Sequence, residues 1–267
     1  MASGAFAQAP CVSPPALVAL DEVGLTIADA AGRSIRVLRP IRLTVESNEI
    51  LGILGPSGCG KTSLLRIIAG LLLPTSGTCT WEPEMIAGRG LRMTMAFQRP
   101  TLVPWYSVEE NALLPFRLAG RVVAPEDRDR LDHLLHLVRL RGFRHSLPHE
   151  LSGGMQMRAA LVRCFLPAPR LILMDEPFSA LDESSRIDMG VELLRLSAEV
   201  GCSIVFVTHS VTEAAFVSNR VIQMSARPGR VIAETQILHD RPRDPRLIEA
   251  PEFLSLCRQL RCVSGYD

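Results

Sequence analysis

Short apolar runs and amphipathic stretches follow one another along most of the chain, and their spacing predicts its secondary structure. Compact or alternating apolar runs bounded by turn residues predict strands at 17–27, 34–38, 41–45, 50–54, 78–81, 92–97, 170–174, 203–207, 220–225 and 230–235. Apolar residues at helical spacing predict helices at 61–69, 107–118, 127–140, 151–166, 184–200, 210–218 and 252–262. Ser107 and Glu110 have the spacing of a capping box at the start of one of these helices. In the helix at 184–200 we expect the buried face to carry Ile187, Val191, Leu194 and Ala198.

Strands that alternate with helices predict an α/β fold built on a parallel sheet. We expect one folded domain over residues 16–267, preceded by a disordered lead-in at 1–15. Its expected parts are an antiparallel β subdomain with the start of the core sheet (16–98), a helical subdomain (99–160), the second part of the core (161–235) and a C-terminal tail and helix (236–267).

Composition narrows the function classes. The net charge of +1, without a basic run, argues against nucleic acid as a partner. The seven cysteines are scattered without a C-x-x-C pair, which is typical of reduced thiols rather than of disulfides or a zinc site. No apolar run approaches the roughly 18 residues of a membrane span, so we expect any membrane role to depend on a partner.

A glycine-rich loop between a predicted strand and a predicted helix fits the pattern G-x-x-x-x-G-K-[ST]. Glycines let a backbone wrap a phosphate, and N–H groups at a helix N-terminus bind the anion. The lysine of this loop, Lys61, is the single lysine among the 29 lysines and arginines, which favours a specific role for it. The predicted nucleotide-binding residues are Gly55, Pro56, Ser57, Gly58, Cys59, Gly60, Lys61, Thr62 and Ser63.

Two carboxylates follow the apolar strand at 170–174, at the sheet edge where ligands of α/β folds bind. We expect Asp175 to hold Mg²⁺ through water together with the Thr62 hydroxyl, and Glu176 to polarise the attacking water. The cofactors implied by these residues are a nucleoside triphosphate and Mg²⁺.

A second phosphate-binding pattern, Ser152-Gly153-Gly154, opens a predicted helix far along the chain. Such a pattern is hard to place on the same phosphates within one molecule. It is explained if it meets the nucleotide held by another copy, which predicts a head-to-tail pair with two shared sites.

The order of these motifs resembles that of ABC transporter ATPases. The resemblance covers almost the whole chain from residue 16, and the signature at 151–155 separates this family from kinases, GTPases and helicases. It implies a P-loop NTPase fold with a RecA-like core sheet, an antiparallel β subdomain and an α-helical subdomain, and it implies that the nucleotide is ATP. The absence of an N-K-x-D motif also argues against a GTPase.

The same resemblance implies further roles. Gln98 resembles the glutamine that contacts Mg²⁺ or water and couples the site to the membrane partner. Ser152 and Gly154 resemble the residues that reach the γ-phosphate across the dimer, and Asp182 resembles the aspartate that links the two sites. His209 resembles the histidine that senses the γ-phosphate.

A finer resemblance, to importer ATPases of the nitrate, sulfonate and taurine group, rests on residues 102–105, on Met155 and on Pro228-Gly229-Arg230. It implies import of a small anion, with transmembrane permease subunits and, indirectly, a solute-binding protein as partners. The location implied is the cytoplasmic face of the inner membrane. Two alternatives stay open, namely the ATPase of an export or lipid-transport system and a soluble ABC ATPase without a transport role.

Three positions depart from the family pattern. Ile27 stands where an aromatic residue usually stacks on adenine, which predicts weaker ATP affinity. Met157 replaces a usual glutamine, and Asn48-Glu49 replaces Gly-Glu before the phosphate-loop strand. None of these changes removes a residue assigned to hydrolysis, so we expect hydrolysis to be retained.

Overall fold

The computed structural model describes residues 16–30, 32–82 and 89–264, so the predicted lead-in at 1–15 lies outside the described residues. The described strands are β1 (Ala16–Ala28), β2 (Ser34–Glu46), β3 (Ile50–Leu54), β4 (Ser76–Trp81), β5 (Met93–Ala96), β6 (Leu171–Asp175), β7 (Ser203–Thr208), β8 (Arg220–Met224) and β9 (Val231–Gln236). The helices are α1 (Lys61–Ile68), α2 (Arg89–Arg92), α3 (Val108–Leu118), α4 (Pro125–Leu137), α5 (Gly153–Phe165), α6 (Glu183–Val200), α7 (Val211–Val217) and α8 (Pro251–Ser264). Short 3₁₀ turns lie at Arg141–Phe143, Pro148–Glu150 and Pro245–Glu249.

The larger sheet has six described strands in the order β5-β6-β7-β3-β8-β9. All neighbours in it are parallel except β8 and β9. Every residue of β3, β7 and β8 is buried, as expected for strands covered on both faces. The predicted α/β class is confirmed, and the carboxyl ends of β3, β6 and β7 meet at one edge.

The smaller sheet is antiparallel, in the order β2-β1-β4. The prediction of two strands at 34–38 and 41–45 is wrong, because β2 runs without a break through Pro40. Leu38 pairs with Leu25 and Ile41 with Val23 on either side of it. Pro40 is exposed on a strand that forms one edge of this sheet, and an edge position tolerates the missing N–H donor.

Between β5 and β6 lie the helices α3, α4 and α5, joined by loops and 3₁₀ turns. The capping box at the start of α3 is confirmed, since the Ser107 hydroxyl accepts from Glu110 N–H and the Glu110 carboxylate accepts from Ser107 N–H. Arg144 joins α3 to α4 by hydrogen bonds to Glu109 and Asp132. Helix α4 ends before the predicted residue 140, because Arg139 adopts a left-handed conformation with φ of 58°.

The predicted buried face of α6 is largely wrong. Ala198 is exposed and Ile187 and Val191 are only half-buried, whereas Leu194 is buried as predicted. Helices α4, α5 and α7 and the 3₁₀ turn at Pro245–Glu249 pack on α6, so its buried residues exceed one stripe: Met189, Gly190, Glu192, Leu193, Leu194, Leu196 and Ser197. Gly190 lies under the Phe216 ring of α7, where an added Cβ would be 3.1 Å from the ring.

The C-terminal tail is docked on the core. Phe253 and Leu260 of α8 are buried, and buried Arg243 donates to the carbonyls of Ala215 and Phe216 at the end of α7. Within the described ranges, no helix combines the length and apolar character that crossing a membrane requires.

Candidate functional site

The phosphate-loop residues bridge β3 and α1 at the sheet edge. Gly58 and Gly60 have φ of 75° and 107°, a region that L side chains rarely adopt. At Gly60 an added Cβ would also lie 2.6 Å from a Leu38 methyl. Two of the loop's glycines are therefore required by backbone geometry, and the loop is held against β2.

The Lys61 side chain is buried inside this loop. Its Nζ donates to the carbonyl oxygens of Gly55, at 2.7 Å, and Pro56, at 3.0 Å. Glu176 Oε1 lies 3.6 Å from the same Nζ. A buried ammonium requires such partners, and here they hold the charge at the centre of the loop.

Thr62 and Asp175, which are far apart in sequence, meet at the end of β6. Thr62 Oγ1 donates to Asp175 Oδ1 at 3.1 Å. Burial raises the pKa of the Asp175 carboxyl, and the hydrogen bond from Thr62 opposes this shift. Two adjacent oxygen ligands fit Mg²⁺, which commonly takes one or two protein ligands and completes its shell with phosphate oxygens and water. No cluster of three or more His, Cys, Asp or Glu side chains suited to a metal occurs among the described residues.

Glu176 and His209 are brought together by the neighbouring strands β6 and β7. His209 Nδ1 lies 3.0 Å from Glu176 Oε2, and Glu176 N–H donates to the Val207 carbonyl. Glu176 has φ of 48°, so its side chain leaves the line of the strand. Next to His209, Thr208 Oγ1 donates to Glu213, whose pKa is raised by burial. One carboxylate thus contacts both the loop lysine and the histidine.

Lys61, Thr62 and Glu176 line a cleft of about 310 Å³ at the surface, and Asp175 and His209 contact the last two without lining it. The lining residues are Ile27, Val37, Ser57, Gly58, Gly60, Lys61, Thr62, Ser63, Glu176 and Arg227. Cys59 belongs to the loop but is buried beneath it, and burial raises the pKa of its thiol. Sequence reasoning missed Arg227: only its neighbours Pro228-Gly229-Arg230 stood out, and nothing in the sequence brings the turn after β8 to this cleft.

Four other predicted residues lie apart from the cleft. Gln98 is exposed just beyond β5, and no described hydrogen bond joins it to Asp175 or Thr62. Ser152 and Gly153 are exposed at the start of α5, where the Ser152 hydroxyl caps the helix, and Gly154 follows them. An added Cβ at either glycine would meet nothing within 4 Å.

Asp182 is a helix cap in this structure. Its carboxylate accepts from Ser185 N–H and from the hydroxyls of Ser184 and Ser185, and these hydrogen bonds lower its pKa. The chain by itself therefore brings together the phosphate loop, Asp175, Glu176 and His209, and leaves Ser152 and Gly153 of the signature exposed elsewhere.

Comparisons with known proteins agree with this geometry. A family model described as ABC transporter matches residues 38–179. An uncharacterized ABC transporter ATP-binding protein of Methanocaldococcus jannaschii is 41% identical over 222 residues, covering 83% of each chain. A taurine import ATP-binding protein, TauB, of Roseobacter denitrificans is 42% identical over 206 residues, covering 77% of this chain and 76% of its own.

Among solved structures, the dimeric post-hydrolysis state of the ATP-binding cassette MJ0796, bound to ADP and Pi, is similar with a TM-score of 0.70 and 30% identity. It covers 84% of this chain and all of that one. The family match over more than half of the chain and the relatives at about 40% identity lead to one conclusion. This chain belongs to the ABC transporter family, as an ATPase that couples ATP hydrolysis to transmembrane transport.

Proposed function

We propose that this chain is the ATP-hydrolysing subunit of an ABC importer for a small anion. The observation that carries the proposal is the convergence of three contacts on one cleft: Lys61 in its loop, Thr62 on Asp175, and His209 on Glu176. A triphosphate needs a cation and N–H groups around its phosphates, and hydrolysis needs a carboxylate near the attacking water. The cleft offers these groups within one short stretch of surface.

We assign a role to each of these residues. Lys61 and the loop N–H groups bind the phosphates, and Glu176 orients and polarises the attacking water while His209 fixes the position of its carboxylate. Thr62 and Asp175 would hold Mg²⁺, with Gln98 completing its surroundings. When bound, that ion neutralises negative charge on the phosphates.

We further propose that two copies assemble head to tail. Ser152, Gly153 and Gly154 lie outside the cleft of their own chain and face outward, so they are free to reach the nucleotide of a partner copy. Asp182, at the start of α6, would lie at the same contact. The similar MJ0796 cassette is described as dimeric, which supports this arrangement.

Import rather than export is supported by the relatives named for taurine import. Trp105 is 73% exposed, and an exposed aromatic residue of this kind suits a contact with a membrane-embedded permease. We therefore place the chain at the cytoplasmic face of the inner membrane, where a solute-binding protein would act indirectly through the permease. The substrate class that we favour is a small sulfonate or a similar anion.

The substitution Glu176→Gln tests the catalytic part of the proposal. We expect turnover to fall at least about 100-fold while ATP binding persists, because the amide cannot polarise water but keeps its size. The variant should accumulate as a nucleotide-bound dimer, measured by light scattering with ATP and Mg²⁺. Glu252→Gln, an exposed carboxylate on α8, is the matched control and should hydrolyse ATP normally. Full turnover by Glu176→Gln would remove Glu176 from this role.

The transport part is tested by expressing the chain with the permease encoded beside it. We expect the two to purify together and, in vesicles carrying the chain on one face, ATP to move taurine toward that face. Movement of substrate away from that face would contradict import. Failure to bind any multi-span protein would contradict a transport role.

A further inference from the structure

Arg227 lines the nucleotide cleft, although no sequence motif assigned it there. It lies in the turn between β8 and β9 and shares the cleft with Ile27, Val37 and the phosphate loop. Its side chain is exposed, and no carboxylate within the described part of the chain pairs with it. The cleft therefore has a guanidinium group for which the described ranges of the chain provide no ion-pair partner.

The backbone of this turn is fixed against both walls of the cleft. Gly229 N–H donates to the Val37 carbonyl at 2.9 Å, and Arg39 N–H donates back to the Gly229 carbonyl at 2.8 Å. An added Cβ at Gly229 would lie 2.1 Å from the Cys59 carbonyl oxygen, so the turn presses directly on the phosphate loop. The turn that carries Arg227 is thus anchored at Gly229, two residues further on, to β2 and to the phosphate loop.

The wall that carries Arg227 is continuous with the wall that carries Ile27. Ile27 pairs with Ile35 on β2, and two residues further along β2 Val37 accepts the hydrogen bond from the turn. Both side chains, Ile27 and Val37, are aliphatic, so this end of the cleft is apolar and has no aromatic face. The phosphates of a bound nucleotide, by contrast, already have Lys61 and the loop N–H groups as binding partners.

We propose that Arg227 is a nucleobase-binding residue whose planar guanidinium stacks on the adenine of the bound nucleotide. A guanidinium stacks on aromatic faces, so it supplies the flat, polarisable contact that Ile27 lacks. The inference rests on the proposed nucleotide site and adds to it the residue that recognises the base. It also changes the expectation drawn from Ile27 alone, because part of the lost adenine contact is replaced from another loop.

The test compares the binding of ADP with that of pyrophosphate. Both ligands carry a diphosphate, only ADP carries a nucleoside, and neither measurement depends on hydrolysis. Arg227→Ala should weaken ADP binding about 5-fold or more, as expected for a lost stacking contact, and leave pyrophosphate binding unchanged in calorimetry. Arg227→Lys should not restore ADP affinity, because it keeps the charge without the planar group. Adding Ile27→Tyr to Arg227→Ala should restore it.

Arg230→Ala is the matched control, since Arg230 is an exposed arginine of the same turn that does not line the cleft. It removes the same charge and should leave ADP affinity unchanged. The proposal is overturned if ADP affinity does not change in Arg227→Ala, or if pyrophosphate weakens equally and Arg227→Lys restores both, which would make Arg227 a phosphate ligand. Lys61→Ala tests the nucleotide site separately from the role of Arg227. Normal ADP binding by that variant would contradict the nucleotide site itself, whatever the result for Arg227.

Discussion

Lys61 is the one lysine in a chain whose other 28 basic residues are arginines, and its surroundings give a physical reason for that choice. Its Nζ fits between two carbonyl oxygens of the loop that lie 2.7 and 3.0 Å away. A compact ammonium on a flexible stem can occupy such a cradle, whereas a planar guanidinium cannot. In a chain with so many arginines, the lysine at this one position therefore indicates a requirement for a compact ammonium group.

The first prediction at this scale concerns Ile27. The substitution Ile27→Tyr places an aromatic ring at the mouth of the cleft, and we expect it to tighten ADP binding about 3- to 10-fold. The side chain is 42% exposed, so the larger residue should fit without a change in thermal stability. Calorimetric titration with ADP measures the effect.

Ile232→Tyr is a suitable control for that substitution, because Ile232 is a comparably exposed isoleucine on a strand, β9, that does not line the cleft. It should leave the affinity unchanged. If Ile27→Tyr also left nucleotide binding unchanged, the assignment of position 27 to the base-binding side of the cleft would be wrong.

Most of the clustered site residues could be predicted because each lies in a local pattern with a chemical purpose. The glycines required by positive φ, the lysine and the two carboxylates after an apolar strand all have such patterns. Arg227 had none, since its place in the cleft depends on hydrogen bonds between the turn after β8 and the edge strand β2. Long-range contacts of this kind are invisible in a single sequence.

Arg144 shows how one side chain can hold several elements together. It binds Glu109 of α3 through two hydrogen bonds of 2.8 Å and Asp132 of α4 through a third of 2.8 Å. These contacts fix the helical subdomain, which carries the signature residues on α5. The hydrogen bonds from Arg144 lower the pKa of the Glu109 carboxyl below its ordinary value of 4.5.

We therefore predict that Arg144→Gln destabilises the protein by about 1–3 kcal/mol at pH 7, the cost of losing hydrogen bonds to charged groups. Because the pKa of Glu109 is lowered on folding, this stabilisation is complete above pH 4.5 and is lost as the pH falls through the folded-state pKa. The stability difference between the two proteins should shrink below pH 4.5. Urea unfolding at a series of pH values measures it.

Arg141→Gln is the control, since the Arg141 side chain is 67% exposed and, among the residues that the structure describes, forms an ion pair only with Asp132. It should change the free energy of unfolding by less than about 1 kcal/mol. A difference for Arg144→Gln that stayed constant from pH 7 to pH 3 would contradict the assigned role of Glu109.

For the helices and strands, the sequence predicted which elements exist and of which type better than it predicted their buried faces and terminal residues. The capping box at Ser107 was predictable because it is entirely local. The continuity of β2 through Pro40 was not, because tolerance of proline depends on the strand lying at a sheet edge. The buried face of α6 also depends on its neighbours, since packing against several elements replaces the single stripe that periodicity assumes.

In the whole molecule, the two predicted phosphate-binding patterns lie apart from each other. The phosphate loop, Asp175, Glu176 and His209 converge within the chain, but Ser152, Gly153 and Gly154 face outward. The second phosphate-binding pattern was predictable from local sequence, whereas its distance from the cleft depends on the fold of the helical subdomain. If two copies pair head to tail, each supplies what the cleft of the other lacks.

Gly154→Ala tests this arrangement without disturbing the fold. An added Cβ there meets nothing within 4 Å and the residue lies in the first turn of α5, so the monomer should be as stable as the parent chain. If Gly154 packs closely against a nucleotide held by the partner, the methyl group should reduce ATPase activity at least about 10-fold. In the Glu176→Gln background it should also abolish the ATP-dependent dimer seen by light scattering.

Gly142→Ala is the matched control, because an added Cβ at Gly142 also meets open space and this glycine likewise lies outside the left-handed region. It should preserve both stability and dimer formation. Gly154→Ala should lose dimerisation but keep nucleotide binding. ADP should bind the Gly154→Ala monomer with unchanged affinity, because its own cleft is intact. If Gly154→Ala dimerised and hydrolysed ATP as well as Gly142→Ala, the shared site would be contradicted and the outward-facing signature would need a different explanation.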